Sequence, residues 1–330
     1  MIMPRDTPVL VVGGLGFIGL NLTARLVRLG ACVVVLTPSR ERHAGQVRAF
    51  EDDGVRVVEG DLRDHALMSR LVAGQQCVFN LSGQSGAVRS MDDPWTDLDA
   101  NCRGTLVLLD AIRYTNPAAK VVTAGSRLEY GRPVSIPVAE TTLGDPLCVH
   151  AIHKRTVEQY LRLYRRLFGL RFAIARVTNP YGPGQPAGRT AYGIINRFIH
   201  LALADDDLTI YGDGRQLRDY VHVDDVASAL LALAMSPDAE GAYNVGSGTG
   251  TAMADLATMV VDLAGAGRIT HVEWPPLAAQ IETGDFVADV SRIHRDVGWT
   301  PSVELREGLE RTVAFYRSVI GQSVDRSVDR

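Results

Sequence analysis

Cysteine is scarce. Four residues in 330, Cys32, Cys77, Cys102 and Cys148, stand far apart with no Cys-x-x-Cys or Cys/His ligand pattern. That excludes a disulfide framework and a zinc site, so reduced, packed thiols and no metal are expected. Long apolar runs are missing as well. No stretch approaches the roughly 18 residues of a membrane span, and the opening Met-Ile-Met-Pro-Arg-Asp lacks the basic segment and cleavable apolar run of a signal peptide. A cytoplasmic protein without membrane contact is expected. Charge of one sign is not in excess either: 34 Lys and Arg against 38 Asp and Glu give a net charge of −4 and a pI near 6.1. Such a balance supplies no field for nucleic acid or an anionic membrane, and an anionic ligand must be met by a local cluster.

What is there is an ordinary globular composition, 46% apolar and 22% charged, long enough for one to three folding units of about 100–200 residues. Short apolar runs at Pro8–Val12, Ala31–Leu36, Val55–Val58, Gln76–Leu81 and Lys120–Ala124 alternate with amphipathic helical patterns. That alternation predicts an α/β domain, a doubly wound parallel sheet with helices on both faces, over residues 1–176. Beyond it, Gly/Pro-rich turns separate helices near Ala191–Ala204, Val223–Met235, Met253–Ala264 and Glu304–Ser318. They predict a smaller mixed α/β lobe over 177–321, with the sheet domain revisited around 205–245. The tail Gln322–Arg330, with Ser-Val-Asp-Arg twice, is expected to be disordered.

The first strand runs into Gly13-Gly14-Leu15-Gly16-Phe17-Ile18-Gly19 and a helix. Gly13 can turn tightly, Gly16 admits backbone close to a pyrophosphate, and Gly19 lets the helix pack on the strand, with Phe17 and Ile18 opening the helix beside the phosphates. This order predicts a dinucleotide site; a tight turn without ligand is the alternative. The second strand ends not in the usual acid but in Thr37-Pro38-Ser39-Arg40. Losing that carboxylate removes repulsion against a 2′-phosphate, which Thr37, Ser39 and Arg40 can bind, so NAD and NADP both stay open. Asp61-Leu62 follows the third strand, where the carboxylate either meets the adenine edge or caps the next helix.

These segments, with Asn80-Leu81-Ser82-Gly83, Asn101, Gly125 to Gly131, Lys154, Arg176 to Pro183, Gly212-Asp213-Gly214, Arg218 to Asp225, Asn244 to Gly248 and Gly298 to Pro301, resemble the extended short-chain dehydrogenase/reductases that epimerise, dehydrate or reduce nucleotide sugars. The resemblance spans nearly the whole chain. It implies an NAD(P)-dependent epimerase or dehydratase working through a transient keto sugar, with ketoreduction as a close variant and a catalytically silent binding protein as another class. It also implies a serine, a tyrosine and a lysine as the catalytic set, the tyrosine and lysine sharing a helix face at a spacing of four. Ser126 and Lys154 match; the tyrosine position is His150. Either the imidazole replaces the phenol as acid/base, or Glu129, Tyr130 or His153 moves the proton, or redox catalysis is lost.

On the substrate side the resemblance implies a nucleotide-diphosphate sugar held by Arg218 and Asn179, with Gln84, Ser126 and Arg292 also contributing. A structural ion pair of Arg218 with Asp219 or Asp225, and backbone bonding by Asn179, are the alternatives. Where many relatives carry a second phosphate-binding arginine, this chain has Glu282; either Arg292 or Arg189 offsets that departure, or the ligand carries less charge. Tyr220 and His222 read as packing residues. The resemblance implies a homodimer through helices near 98–114 and 148–167; burial of those helices within the monomer is the alternative.

Overall fold

A computed structural model describes residues 3–84, 86–185 and 193–328, with side chains to residue 319. Among the described residues twelve strands and thirteen α-helices follow in chain order: β1 (Pro8–Val12), α1 (Phe17–Arg28), β2 (Cys32–Thr37), α2 (Ala44–Asp52), β3 (Arg56–Glu59), α3 (His65–Val72), β4 (Cys77–Asn80), α4 (Ala87–Asp92), α5 (Pro94–Leu98), α6 (Gly104–Thr115), β5 (Lys120–Ser126), α7 (Val149–Phe168), β6 (Arg171–Val177) and β7 (Asn179–Tyr181). There follow α8 (Ile194–Leu203), β8 (Asp207–Tyr211), β9 (Leu217–His222), α9 (Val223–Met235), β10 (Gly241–Val245), β11 (Gly250–Ala252), α10 (Met253–Ala264), β12 (Arg268–Val272), α11 (Pro276–Gln280), α12 (Ser291–Val297) and α13 (Leu305–Val328).

The apolar runs Val9–Val12 and Val121–Val122 are buried, as are Val33 and Val35 with Val34 half-buried between them, as befits strands covered by helices on both faces. They form a seven-stranded sheet in the order β10-β6-β5-β4-β1-β2-β3, every pairing parallel. Helices α1, α2 and α9 pack one face, where Leu22 and Leu26 of α1 are fully buried. Helices α3, α6 and α7 cover the other through Met68, Leu108, Ile112 and Leu161. The strand order reverses between β1 and β4, and the carboxyl ends there open the crevice in which such sheets bind ligands.

The second lobe holds the strands β11-β9-β7 and β12-β8, packed with α8, α10 and α13 around Phe198, Ile199, Leu256, Val260 and Leu309. The chain returns to the main sheet with β10 and its covering helix α9. At the tail the structure departs from the expected disorder, because α13 continues as helix to Val328. Extending a helix already nucleated costs far less than starting one. Residues 329 and 330 lie outside the described residues. No described helix is long and apolar enough to cross a membrane.

Candidate active site

At the switch point β1 ends in Gly13, whose φ of +79° suits glycine. Gly16 caps α1 without a side chain, which leaves the first N–H groups of the helix for a ligand. A Cβ on Gly19 would stand 2.2 Å from the Gly13 carbonyl oxygen, so only glycine lets α1 start against the loop. From here a cavity of about 550 Å³ runs past Gly16, Phe17, Ile18, Gly19 and Leu81 to Ser126, His150 and Lys154, and on to Asn179 and Arg218.

Helix α7 buries Val157, Leu161 and Tyr164 and turns the polar side of its first turns to the cavity. Lys154 Nζ donates to the Ala124 carbonyl at 3.0 Å; burial lowers its pKa, opposed by Glu129 and Asp97. Ser126 ends β5 and caps the following turn: its Oγ accepts from Leu128 N at 3.2 Å, while Glu129 Oε1 accepts from Ser126 N at 2.7 Å. His150 is buried, its Nδ1 3.3 Å from Asp97 Oδ2. Burial lowers its pKa below the ordinary 6.5, with Asp97 pulling upward and Lys154 adding to the fall.

The other proton carriers named from sequence face elsewhere. Glu129 is pushed up to about 7 by burial, and with Tyr130, whose hydroxyl donates to Asn244 Oδ1 at 2.7 Å, it borders a separate 160 Å³ cavity. His153 is spent on Asp97 at 2.6 Å.

At the far end Arg218 is buried and paired with Glu282, not with Asp219 or Asp225. Asp219 instead accepts from Ser247 N, Gly248 N and Ala288 N, and Asp225 from Ser302 and Val303. Asn179 joins the two lobes, donating to Asp219 O at 2.8 Å and accepting from Arg127 Nε at 3.1 Å. Arg127 donates onward to Thr283 Oγ1 at 2.8 Å. Burial, with Arg218 nearby, holds its guanidinium down to about 10. Both side-chain polar atoms of Gln84 are buried without partners at the cavity wall, as groups awaiting a ligand are. His222 caps α9, and Tyr220 packs with its hydroxyl on Met253.

Several expected site residues are not brought to this cavity. Arg292 donates to the Ala242 and Glu240 carbonyls and stacks on Tyr243, which corrects its assignment to the substrate: β10 needed its exposed carbonyl oxygens satisfied. Arg40 is committed to Glu51 at 2.8 Å and to the Val57 carbonyl at 2.7 Å, and Asp61 to Arg63 at 2.6 Å. Thr37 bonds within its own loop, and neither Ser39 nor Leu62 lines the cavity. Arg189 lies outside the described residues.

A sequence profile described as the NAD-dependent epimerase/dehydratase family matches residues 9–246. The chain belongs to this family. It is similar to a UDP-glucose 4-epimerase of Mycolicibacterium smegmatis, 33% identical, over 94% of this chain and 98% of that one. Among solved structures, the UDP-glucose 4-epimerase of Thermotoga maritima with UDP-glucose superposes with a TM-score of 0.87, at 28% identity over 95% of this chain and 99% of that one. The Thermus thermophilus UDP-glucose 4-epimerase in complex with NAD gives 0.83, at 31% identity over 94% and 99%. An NAD-dependent epimerase/dehydratase needs a dinucleotide, and the uncapped glycine start of α1 at the cavity floor fits its pyrophosphate.

Two site residues escaped the reading of the sequence. Asp97 carries no motif of its own, though His150, His153 and Lys154 on one face of α7 formed a polar stripe in need of a partner. Arg127 was hidden as a neighbour of Ser126.

Proposed function

We propose that this NAD-dependent nucleotide-sugar epimerase/dehydratase is a 4-epimerase that passes through a transient 4-keto sugar. The observation that carries the reading is the convergence of Ser126, His150 and Lys154 on one cavity between the glycine loop and Arg218. A nicotinamide held against Ser126, His150 and Lys154 would supply the acceptor and donor for the C4 hydride. His150 accepts the proton of the C4 hydroxyl, and the Ser126 hydroxyl bonds the same oxygen. Lys154, close beside them, disfavours a second positive charge on His150 and keeps it neutral near pH 7.

Elimination of water is disfavoured by what the cavity offers. It requires a base for the C–H next to the carbonyl and an acid for the departing hydroxyl, yet Glu282 is the one carboxylate among the described residues lining the cavity, and it is held by Arg218. For the diphosphate, Arg218 and Arg127 supply two guanidinium groups. Arg127 reaches Thr283, so it offers from the turn after β5 the charge absent at position 282, and Glu282 yields Arg218 when phosphate arrives.

NAD is the favoured cofactor. Arg40 is engaged by Glu51, and Glu59 accepts from its backbone N–H at 2.7 Å; the two carboxylates, from α2 and the end of β3, repel a 2′-phosphate. A homodimer is favoured by Leu98, Tyr114, Ile152, Leu163 and Leu167, all exposed on the two helical stretches that the resemblance assigns to an interface, and by Trp95, exposed on α5 just ahead of the first. Free cysteines, with Cys32 exposed, suit the reducing cytoplasm.

The test is incubation of the protein and NAD with UDP-, dTDP-, GDP- and CDP-hexoses, read by chromatography and NMR. The expected product is the C4 epimer of a UDP-hexose with no net NADH. A deoxy-keto sugar, or no conversion of any sugar, overturns the proposal.

A further inference from the structure

Asp97 is fully buried, and no arginine or lysine pairs with it among the described residues. Its carboxylate serves two imidazoles and an amide: Oδ2 lies 3.3 Å from His150 Nδ1, and Oδ1 lies 2.6 Å from His153 Nδ1 and accepts from Asn101 Nδ2 at 3.0 Å. Burial works against ionisation, but the bonds from His150 and His153 outweigh it and leave the carboxyl below its ordinary range. An ionised carboxylate only accepts hydrogen bonds, so both Nδ1 atoms must carry hydrogen. In neutral His150 the proton is thereby placed on Nδ1. Nε2, on the opposite edge of a ring that lines the cavity, is left as a bare acceptor. A histidine side chain free in water prefers the other arrangement.

We infer that Asp97 is a positioning residue: it fixes the Nδ1–H tautomer of His150, presents Nε2 to the sugar hydroxyl, and stabilises the imidazolium once the proton arrives. This inference rests on the reading that His150 carries the proton. The hydroxyl O–H bond breaks and its proton bonds to Nε2; the C4–H pair leaves as hydride to the nicotinamide, and the C4=O bond forms. Reversal returns both, so nothing is consumed. His153 holds the second oxygen, which stops the carboxylate from rotating away, and the His150 backbone N–H is tied to Ser90 Oγ at 2.9 Å. The titratable groups facing this pair are His153 and Lys154 on α7, Cys148 before it, and Cys102. Burial raises both thiols, Cys102 to about 11, so they stay neutral and leave the carboxylate as the anion that His150 meets.

Both readouts are taken on the full chain labelled with ¹⁵N-histidine. The sequence has eight histidines, and the His150 signals are those lost in His150→Phe. In the unmodified chain, neutral His150 is expected to carry its proton on Nδ1. In Asp97→Asn the His150 titration is expected to move to lower pH, because the upward pull of the carboxylate is gone. A role confined to packing does not lower that midpoint. An Nε2–H tautomer in the unmodified chain, or a midpoint in Asp97→Asn that stays or rises, overturns the inference. If Asp97→Asn shows no cooperative thermal melt, the tautomer of the unmodified chain decides alone. Full sugar conversion by His150→Phe strikes at the proposed function instead, so the two failures are told apart.

Discussion

His150 sits where the family resemblance implies a phenol, and on its proposed role as base the replacement should change the pH at which the site works. A base must be deprotonated to act. The His150 pKa is lowered by burial and by Lys154, so kcat/KM should fall only as the pH drops through a value below the ordinary 6.5 and should stay level above it up to neutrality. A rate–pH profile on the converted sugar checks this; an acid limb above pH 7 contradicts it. His150→Phe is expected to lower turnover by about 10²–10⁴, the usual contribution of a positioned acid/base, with cofactor affinity kept. From sequence, the register with Lys154 marked His150, but its partner Asp97 stands 53 residues away. Such pairs are made by folding and have no local signature. The same holds for Arg218, whose bond to Glu282 closes over 64 residues.

Elements decide what the glycine loop can hold. A Cβ on Gly16 would meet only the Gly13 carbonyl oxygen, at 3.3 Å, and its φ of −72° suits any residue. The fold should therefore tolerate Gly16→Val while the side chain fills the approach of the pyrophosphate. Calorimetry should show NAD affinity falling more than about tenfold, roughly 1.4 kcal/mol, with the melting temperature little changed. The same titration on the unmodified chain should rank NAD above NADP, and equal affinities would remove Arg40, Glu51 and Glu59 from the argument. Between α5 and α6 the chain widens into a π-turn at Asp99–Arg103, a feature common near functional sites. Asn101 within it bonds both Asp97 and the Gln84 carbonyl, so one helix irregularity ties the carboxylate to the cavity wall. The resemblance implied an unbroken helix near 98–114, and a one-residue widening leaves the apolar spacing almost unchanged, so the sequence carries no sign of it.

At the scale of the whole molecule, α5 and α7 leave Trp95 76% and Leu167 58% exposed, large apolar surfaces to keep in water. Light scattering is expected to return twice 35.8 kDa, and Trp95→Arg combined with Leu167→Glu should halve that mass; a monomer in the unmodified chain rejects the dimer.

The sequence by itself determined the sheet, since buried parallel strands are near-continuous apolar runs and the helices between them are amphipathic. It also determined the phosphate loop, where the positive φ of Gly13 and the close approach at Gly19 admit only glycine. Both are local demands, written where they act. Tertiary structure decided which charges were free to meet a ligand. Arg292, Arg40 and Asp61 read as ligand residues because their types suit the chemistry, yet each is spent on a partner that only folding brought near. Arg127 and Asp97 emerged for the opposite reason: a buried charge acquires its meaning from the groups packed against it, and those groups are distant in the chain.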